Sequence, residues 1–169
     1  MKFEKMKKIQ KIILIGLILF TTISCDQISK KIARENLSVS KISFLGDTVR
    51  LQYIENNGAF LNFGADWPAP LKILLFSVLP FGVLAYLFIF LLKSGKMDTT
   101  NFIALSLITG GGIGNLIDRI FNNGWVSDFM NIGIGSIRTG IFNFADVFIT
   151  CGYGLLIYSL YLNKKRNEY

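Results

Sequence analysis

The sequence predicts an α-helical membrane protein with four transmembrane helices and a small β-rich extracytoplasmic cradle between the first and second spans. Hydrophobic residues make up 51% of the chain and charged residues only 17%, a balance typical of membrane proteins rather than soluble domains. Four apolar runs are long enough to cross a hydrocarbon core about 30 Å thick. Many basic residues behind the net charge of +7 cluster beside these runs, which indicates orientation rather than nucleic-acid binding. We expect one domain covering residues 1–169.

The first apolar run covers about residues 10–29 and follows a basic flank. The lysines of this flank are Lys2, Lys5, Lys7, Lys8 and Lys11. A basic start, a short apolar core and small residues before Cys25 also have the outline of a lipoprotein signal peptide. We favour a retained span, because the helical pattern continues past Cys25 and because Thr22 is a poor match for the branched apolar residue of such a cleavage site.

Residues 36–67 differ in composition from the apolar runs, with three short β-rich segments and two turn signals. The segments read KISFL, TVRLQYI and AFLNFG, and the turns are Gly46-Asp47 and Asn57-Gly58. Strands of this length are too short to span a membrane. We therefore expect a small sheet at the outer surface that holds another chain in extended form by edge pairing. An ordinary loop between spans is the alternative.

The remaining spans cover about residues 70–92, 101–120 and 141–162. Pro80 lies inside the second span and is a candidate kink, which membrane helices tolerate. The third span contains the sequence TGGGIGN, whose glycines allow helices to approach closely. The basic residues outside the spans include Lys93 and Lys96 in the turn after the second span and those of the C-terminal tail NKKRNEY. This distribution predicts that both termini lie in the cytoplasm.

The predicted orientation brings the unexpected polar groups of the spans to one depth, near the outer face. These groups are Asp26, Lys30, Asn115, Asp118, Arg119, Asn143 and Asp146, with Asp128 in the outer loop between the last two spans. An ionisable group inside an apolar run costs several kcal/mol unless it is paired or faces water. The polar groups therefore predict a functional site at the outer end of the helices.

Residue spacing supports a shared pocket. Asn115, Asp118 and Arg119 are related by i, i+3 and i+4, so their side chains share one helix face. Asn143 and Asp146 repeat the i, i+3 relation. Two such pairs on neighbouring helices predict side chains that point into one space.

For Asp118 and Arg119 we favour an interfacial ion network that ties helices together. Arg119 follows Asp118 directly and does not face it, so we expect Arg119 to pair across helices or with a carboxylate such as Asp128. Asp128 and Asp146 instead predict acid–base proteolysis. Because two close carboxylates cannot both ionise easily, they hold one proton between them. One takes a proton from an attacking water, and the other protonates the oxyanion and the leaving amine.

Histidine is absent from the chain, which excludes Ser-His and Cys-His nucleophile pairs and the HExxH zinc site. The sequence has no metal-ligand spacing, and we expect no cofactor. Cys25 and Cys151 both lie in apolar surroundings. We expect them to be free and to act as small hydrophobic residues, with a disulfide as the alternative.

Five short motifs follow one another over nearly the whole chain. They read DQISKK at 26–31, ENNGAFL at 55–61, GNLIDRI at 114–120, VSDFM at 126–130 and FNFADV at 142–147. In this order and spacing they resemble the motifs of the lipoprotein signal peptidase family, also called signal peptidase II. Each motif alone is weakly specific, but five in register within a four-span chain without histidine are strongly specific.

The resemblance implies an aspartyl-type endopeptidase of the bacterial cytoplasmic membrane that removes signal peptides from prolipoproteins, cutting before a diacylglyceryl-modified cysteine. By motif position, Asp128 and Asp146 would be the catalytic pair. The residues that would line or support the site are Asp26, Lys30, Asn56, Gly58, Asn115, Asp118, Arg119 and Asn143. Inhibition by globomycin-type peptides, contact with membrane lipids, a monomeric state and no nucleic-acid partner are also expected.

The residues by themselves leave two other classes open. A small transporter or channel would use Asp118 and Asp146 as proton or cation sites and would need a polar path across the membrane. A structural membrane protein would use the polar groups only to hold helices together, so that Asp128→Asn would be silent. The loop at 121–140 contains several glycines, and we predict either a mobile lid over the site or a flexible connection.

Overall fold

Four long apolar helices and one small antiparallel sheet form the structure, a computed structural model that describes residues 8–59, 62–94 and 97–167. Three of the four are single helices, α1 (Lys8–Leu37), α4 (Thr99–Phe121) and α5 (Phe144–Asn167), and the second in chain order consists of α2 (Ala69–Ile73) and α3 (Leu79–Lys93). The strands are β1 (Lys41–Phe44), β2 (Val49–Asn56), β3 (Val126–Ile134) and β4 (Ile137–Arg138). Four helical stretches in this part of the chain have the length and apolarity to cross a membrane. The predicted fold class is confirmed.

The spans differ from the predicted ones mainly at their ends. The first continues to Leu37, well beyond the predicted end at residue 29, because Asp26 and Lys30 pair with each other at i, i+4 and need no break in the helix. In the second, α2 and α3 are joined by a π-helical turn, Leu74–Val78, just before Pro80. Proline lacks an N–H, so the regular helical hydrogen bonding is interrupted there. The fourth begins at Phe144.

Several residues named in the sequence prediction lie outside the described ranges. They are Lys2, Lys5, Lys7, Phe60, Leu61, Lys96 and the last two residues of the basic tail, Glu168 and Tyr169. Within the described ranges, Cys25 and Cys151 are both free. The prediction of free cysteines is confirmed, and the disulfide alternative is wrong.

The sheet draws on two separate parts of the chain. Its strand order is β1-β2-β3-β4, and every pairing is antiparallel. The hairpin β1–β2 falls within the predicted β-rich segment, but the predicted strand AFLNFG is not one, since residues 57–59 and 62–67 form bends and turns. Half of the sheet comes instead from residues 126–138. These lie in the stretch predicted as a mobile lid or flexible connection, where β3 pairs with β2 along most of its length.

Helix α4 lies at the centre of the helical layer. Half of its most apolar window is buried, against 6–17% for the other three spans. Glycines make this packing possible, because a Cβ atom at Gly111 would lie 2.5 Å from the carbonyl oxygen of Ala145 in α5. At Gly114 it would lie 2.6 Å from Asp26 Oδ2 in α1. The predicted close approach of helices thus occurs against both α1 and α5.

The sheet is fixed to the end of α1 by an apolar cluster. Ala33 and Leu37 of α1 pack with Phe129 of β3, and all three are buried. Leu51 and Tyr53 of β2 pack against the same cluster. Burial of this apolar surface holds the sheet across the helix ends. The residues of β3 therefore reach the same region as the C-terminal end of α4 and the N-terminal end of α5.

Candidate active site

Asp128 and Asp146 lie on different elements and border the same cleft. Asp128 is on β3, where it pairs in register with Ile54 of β2, and its side chain is buried, with 4% of its surface exposed. Asp146 is in the first turn of α5 and is half-buried. Both residues line a cleft of about 690 Å³. Asp128 lies between the last two spans, as predicted, but it belongs to a paired strand and not to an irregular loop.

Asn143 links the two carboxylates. Its side-chain amide donates to Asp128 Oδ1 across 2.7 Å, and its backbone N–H donates to Asp146 Oδ2 across 3.1 Å. In return, Asn143 Oδ1 accepts the backbone N–H of Asp146 at 3.0 Å. This reciprocal pair is a capping box, and it begins α5 at Phe144. One residue therefore starts the helix and holds both aspartates.

Two further amides complete the hydrogen bonds to the aspartates. Asn56 at the end of β2 donates to Asp128 Oδ2 across 3.1 Å. Asn115 of α4 donates to Asp146 Oδ1 across 2.9 Å. Each carboxylate thus accepts two N–H donors from neutral amides. Such donors hold a carboxylate in place without adding charge beside it.

The environment of Asp128 changes its acidity. The pKa of Asp128 is raised to about 6: burial is the largest cause, the neighbouring charge of Asp146 contributes to the rise, and the hydrogen bonds from Asn56 and Asn143 oppose it. A carboxyl group with this pKa exchanges its proton near neutral pH, as a general acid or base must.

A buried ion network lies behind the two aspartates. Lys30 Nζ is 2.7 Å from Asp26 Oδ2 and 3.2 Å from Asp118 Oδ2, and all three side chains are buried. The same ammonium donates to Asn115 Oδ1 across 2.9 Å. Asp26 Oδ1 accepts the backbone N–H of Ala145 at 2.9 Å. The ion network predicted for Asp118 is therefore present, and it joins α1 to α4 and α5.

Arg119 departs from its predicted pairing. Its guanidinium donates to the carbonyl oxygens of Gly58 at 2.5 Å and Gly124 at 2.9 Å, and it lies 5.3 Å from the ring centroid of Phe76. Within residues 8–59, 62–94 and 97–167, it forms no ion pair with Asp128. Arg119 is close to both backbone segments because it lies at the end of α4. It joins these two segments, and its charge acts on Asp128, Asp118 and Asp146 only at longer range.

The predicted site residues divide into two groups by position. The residues that border the cleft are Asn56, Gly58, Asn115, Arg119, Asp128 and Asp146. Asp26, Lys30, Asp118 and Asn143 lie among them as buried supports. The rest of the cleft wall is largely apolar and includes Val126, Ile132, Ile141, Phe142, Val147 and Ile149. The arrangement places two carboxylates at the edge of a largely apolar cleft.

Two residues of the network were not predicted. Gln27 donates to Asp118 Oδ1 across 3.0 Å and to the carbonyl oxygen of Gly114 across 3.1 Å. The backbone N–H of Ser127 donates to Asp118 Oδ2 at 2.9 Å. Gln27 is detectable in the sequence as a polar residue beside Asp26 in an apolar helix. The role of Ser127 is not detectable, because it depends on a backbone group.

The cleft of Asp128 and Asp146 lies in a protein whose described residues include four apolar spans, and the comparisons with known proteins identify the class as a membrane-embedded aspartic peptidase. Residues 18–162 match the family model for signal peptidase (SPase) II. The chain is 35% identical over 175 residues to the lipoprotein signal peptidase of Borrelia hermsii, which covers 99% of both chains. It is 37% identical over 136 residues to that of Treponema denticola, covering 77% of this chain and 79% of the relative. The chain therefore belongs to the signal peptidase II family.

A solved structure has the same fold. It is a bacterial membrane enzyme whose chain superposes with a TM-score of 0.77 at 27% identity, covering 92% of each chain. Together with the family membership, this fold favours the peptidase over the transporter and scaffold alternatives. A retained first span is supported by the buried network, to which α1 contributes Asp26 and Lys30.

Proposed function

We propose that this protein removes signal peptides from diacylglyceryl-modified prolipoproteins by cutting before the lipidated cysteine, with Asp128 and Asp146 activating a water molecule. One observation carries the assignment of this pair. Asn143 binds Asp128 with its side chain and Asp146 with its backbone N–H, so both carboxylates border one cleft. Family membership supports the choice of substrate class.

The geometry supports different roles for the two carboxyl groups. Burial is the main cause that raises the pKa of Asp128 to about 6, which favours Asp128 as the member of the pair that acts as the acid. Asp146 is more exposed to the cleft and acts as the base that takes a proton from the attacking water. Asp128 then protonates the oxyanion that forms on the scissile carbonyl. In the second half of the reaction Asp146 gives its proton to the leaving amine, the C–N bond breaks, and Asp128 takes back a proton from a hydroxyl of the intermediate. Asn56, Asn115 and Asn143 hold the carboxylates during these transfers.

The cleft wall supports an extended substrate within the membrane. Apolar side chains of α5, such as Val147 and Ile149, continue the wall along the helix from Asp146. Such a surface suits the apolar part of a signal peptide or the acyl chains of the lipid. We place the site at the outer face of the bacterial inner membrane with both termini in the cytoplasm, and we expect globomycin-type peptides to bind in the same cleft.

The test is cleavage of a diacylglyceryl-modified prolipoprotein by the purified protein in detergent. We expect the parent to cut immediately before the lipidated cysteine. Asp128→Asn and Asp146→Asn should each lower kcat by at least about 1,000-fold, since the reaction needs both an acid and a base. Asp66→Asn, a change of the same kind at an exposed carboxylate, is the control and should keep full activity. A folded Asp128→Asn or Asp146→Asn variant with near-normal kcat would overturn the dyad.

A further inference from the structure

Lys30 is a buried cation that touches neither aspartate of the proposed pair. Its side chain is 4% exposed, and its ammonium lies within 3.2 Å of three oxygens, one each from Asp26, Asp118 and Asn115. An ammonium group has three protons and no acceptor, so these three oxygens satisfy it completely. The contact with Asn115 is the one that leads toward the cleft, because Asn115 Nδ2 donates to Asp146 Oδ1 across 2.9 Å.

The side-chain amide of Asn115 is held in one orientation. Its Oδ1 accepts from Lys30 at 2.9 Å and from Asn143 Nδ2 at 3.0 Å. If the amide rotated by half a turn, its NH₂ group would face two other donors, and its oxygen would face the carboxylate of Asp146. The donor–donor contacts and the oxygen–carboxylate contact would all be repulsive. Since an ammonium cannot accept a hydrogen bond, Lys30 permits only the observed orientation.

We infer that Lys30 is a positioning residue of the reaction: it fixes the Asn115 amide so that Asn115 presents an N–H to Asp146. The inference rests on the proposed function, because it assigns Asp146 to the chemistry. Lys30 acts through Asn115 rather than on substrate. Its other two bonds, to Asp26 and Asp118, hold its own ammonium in place between α1 and α4.

The residue next to Lys30 in the sequence provides a control for its replacement. Lys30 and Asp118 line a groove of about 620 Å³ between α1 and α4, which is separate from the cleft that Asp128 and Asp146 border. The groove also contains Lys31, the next residue of α1, whose side chain is exposed. Lys31 therefore offers a matched control with the same chemistry on the same helix. It touches no residue of the proposed pair.

The test is a double-mutant cycle on the full-length protein in detergent, with the lipidated prolipoprotein as substrate. Lys30→Met should lower kcat about 100-fold and change KM less than about 3-fold, because a small misplacement of a reacting group has effects of this size. Asn115→Ala should cause a similar loss. The double variant should be no slower than the slower single variant, because Lys30 acts through Asn115. Lys31→Met should match the parent.

The outcomes separate this inference from the proposed function. If the parent does not cleave the substrate, the proposed function fails. If the parent cleaves and Lys30→Met keeps the parental kcat, the inference fails alone. If the fold-loss in kcat of the Lys30→Met/Asn115→Ala variant equalled the product of the two single losses, the inference would also fail, because the two residues would then act independently.

A second variant serves if Lys30→Met does not fold. Lys30→Met/Asp118→Asn removes one buried positive and one buried negative charge, and so keeps the net charge of the network. We expect this variant to fold and to show the same fall in kcat with little change in KM. A folded Lys30→Met/Asp118→Asn variant with the parental kcat would overturn the inference.

Discussion

The carboxylate of Asp26 accepts a hydrogen bond from the backbone N–H of Ala145 across 2.9 Å, although 119 positions separate the two residues. The contact joins the first span to the first turn of the last. Both residues are fully buried. Asp26 thus fixes the helix start that carries Asn143 and Asp146, and it does so from outside the cleft.

Replacement of Asp26 tests this contact. Asp26→Ala should lower the free energy of unfolding by about 3–5 kcal/mol, because it breaks a buried ion pair and leaves a backbone N–H without its acceptor. Asp26→Asn keeps an oxygen that can accept from Ala145 and should cost less. Thermal unfolding in detergent measures the difference. Glu35→Ala, at an exposed carboxylate of the same helix, is the control; equal losses for Asp26→Ala and Asp26→Asn would contradict a role for this hydrogen bond.

The raised pKa of Asp128 predicts a pH-dependent stability. Its ordinary value of 3.8 rises to about 6 in the folded protein, chiefly through burial. Between these two values the folded state binds more protons than the unfolded state, so stability falls as the pH increases. Asp128→Asn removes this effect. The melting temperature of Asp128→Asn relative to the parent should therefore increase from pH 4 to about pH 6 and then level off, and a constant difference would disprove the shift.

The same group should limit activity at high pH. If Asp128 is the acid, kcat/KM falls as the pH rises through about 6, because the free enzyme then loses the required proton. Initial rates with the lipidated substrate at low concentration, measured between pH 4.5 and 8, show this limb directly. A profile that stays flat to pH 8 would remove Asp128 from the role of acid.

Gly111 and Gly154 offer a comparison of helix packing. A Cβ at Gly111 would lie 2.5 Å from the Ala145 carbonyl oxygen and 2.9 Å from Ile149, whereas nothing lies within 4 Å of a Cβ at Gly154. Gly111→Ala should cost about 1–3 kcal/mol of stability by overpacking, and it should lower kcat by displacing α5. Gly154→Ala should be neutral or slightly stabilising. Thermal unfolding of both variants decides, and equal stabilities would show that α4 and α5 can move apart freely.

Arg119→Lys tests the bond between α4 and the cleft edge. A guanidinium reaches the carbonyls of Gly58 and Gly124 at once and stacks near Phe76, and an ammonium cannot reproduce this planar fork. We expect KM to rise about 10-fold and amide hydrogen exchange at residues 57–59 to become faster. Lys72→Arg, at a residue that donates to the Ala65 carbonyl, is the control for a basic exchange near the same segment. Unchanged exchange at Gly58 in Arg119→Lys would contradict this role.

The helices were predictable because their signals are local. Apolar runs and flanking lysines define the spans, and the polar residues inside them point to the site even without a partner in view. The i, i+3 relation of Asn143 and Asp146 predicted a shared face, and the structure shows a capping box that makes the relation reciprocal.

The sheet and the partners of Arg119 were not predictable in the same way. Residues 126–134 become a strand because β2, which lies in another part of the sequence, supplies the pairing edge. The glycines of residues 121–140 suggested mobility, because glycine makes an isolated chain flexible. Arg119 binds carbonyl oxygens, and every residue carries a carbonyl. Sequence patterns therefore could not distinguish these partners from a carboxylate such as Asp128.

The pairing of Lys30 with Asp26 within α1 has a consequence for how the chain enters the membrane. The span that carries both charges is synthesised first, long before Asp118 and Ala145 exist to bind them. An unpaired ion in the bilayer is costly, but these two are one helical turn apart and 2.7 Å from each other. The nascent first helix therefore carries its own counter-ion into the lipid. The later spans meet a neutral pair, which Asp118 of α4 and the backbone of Ala145 in α5 then join to the network.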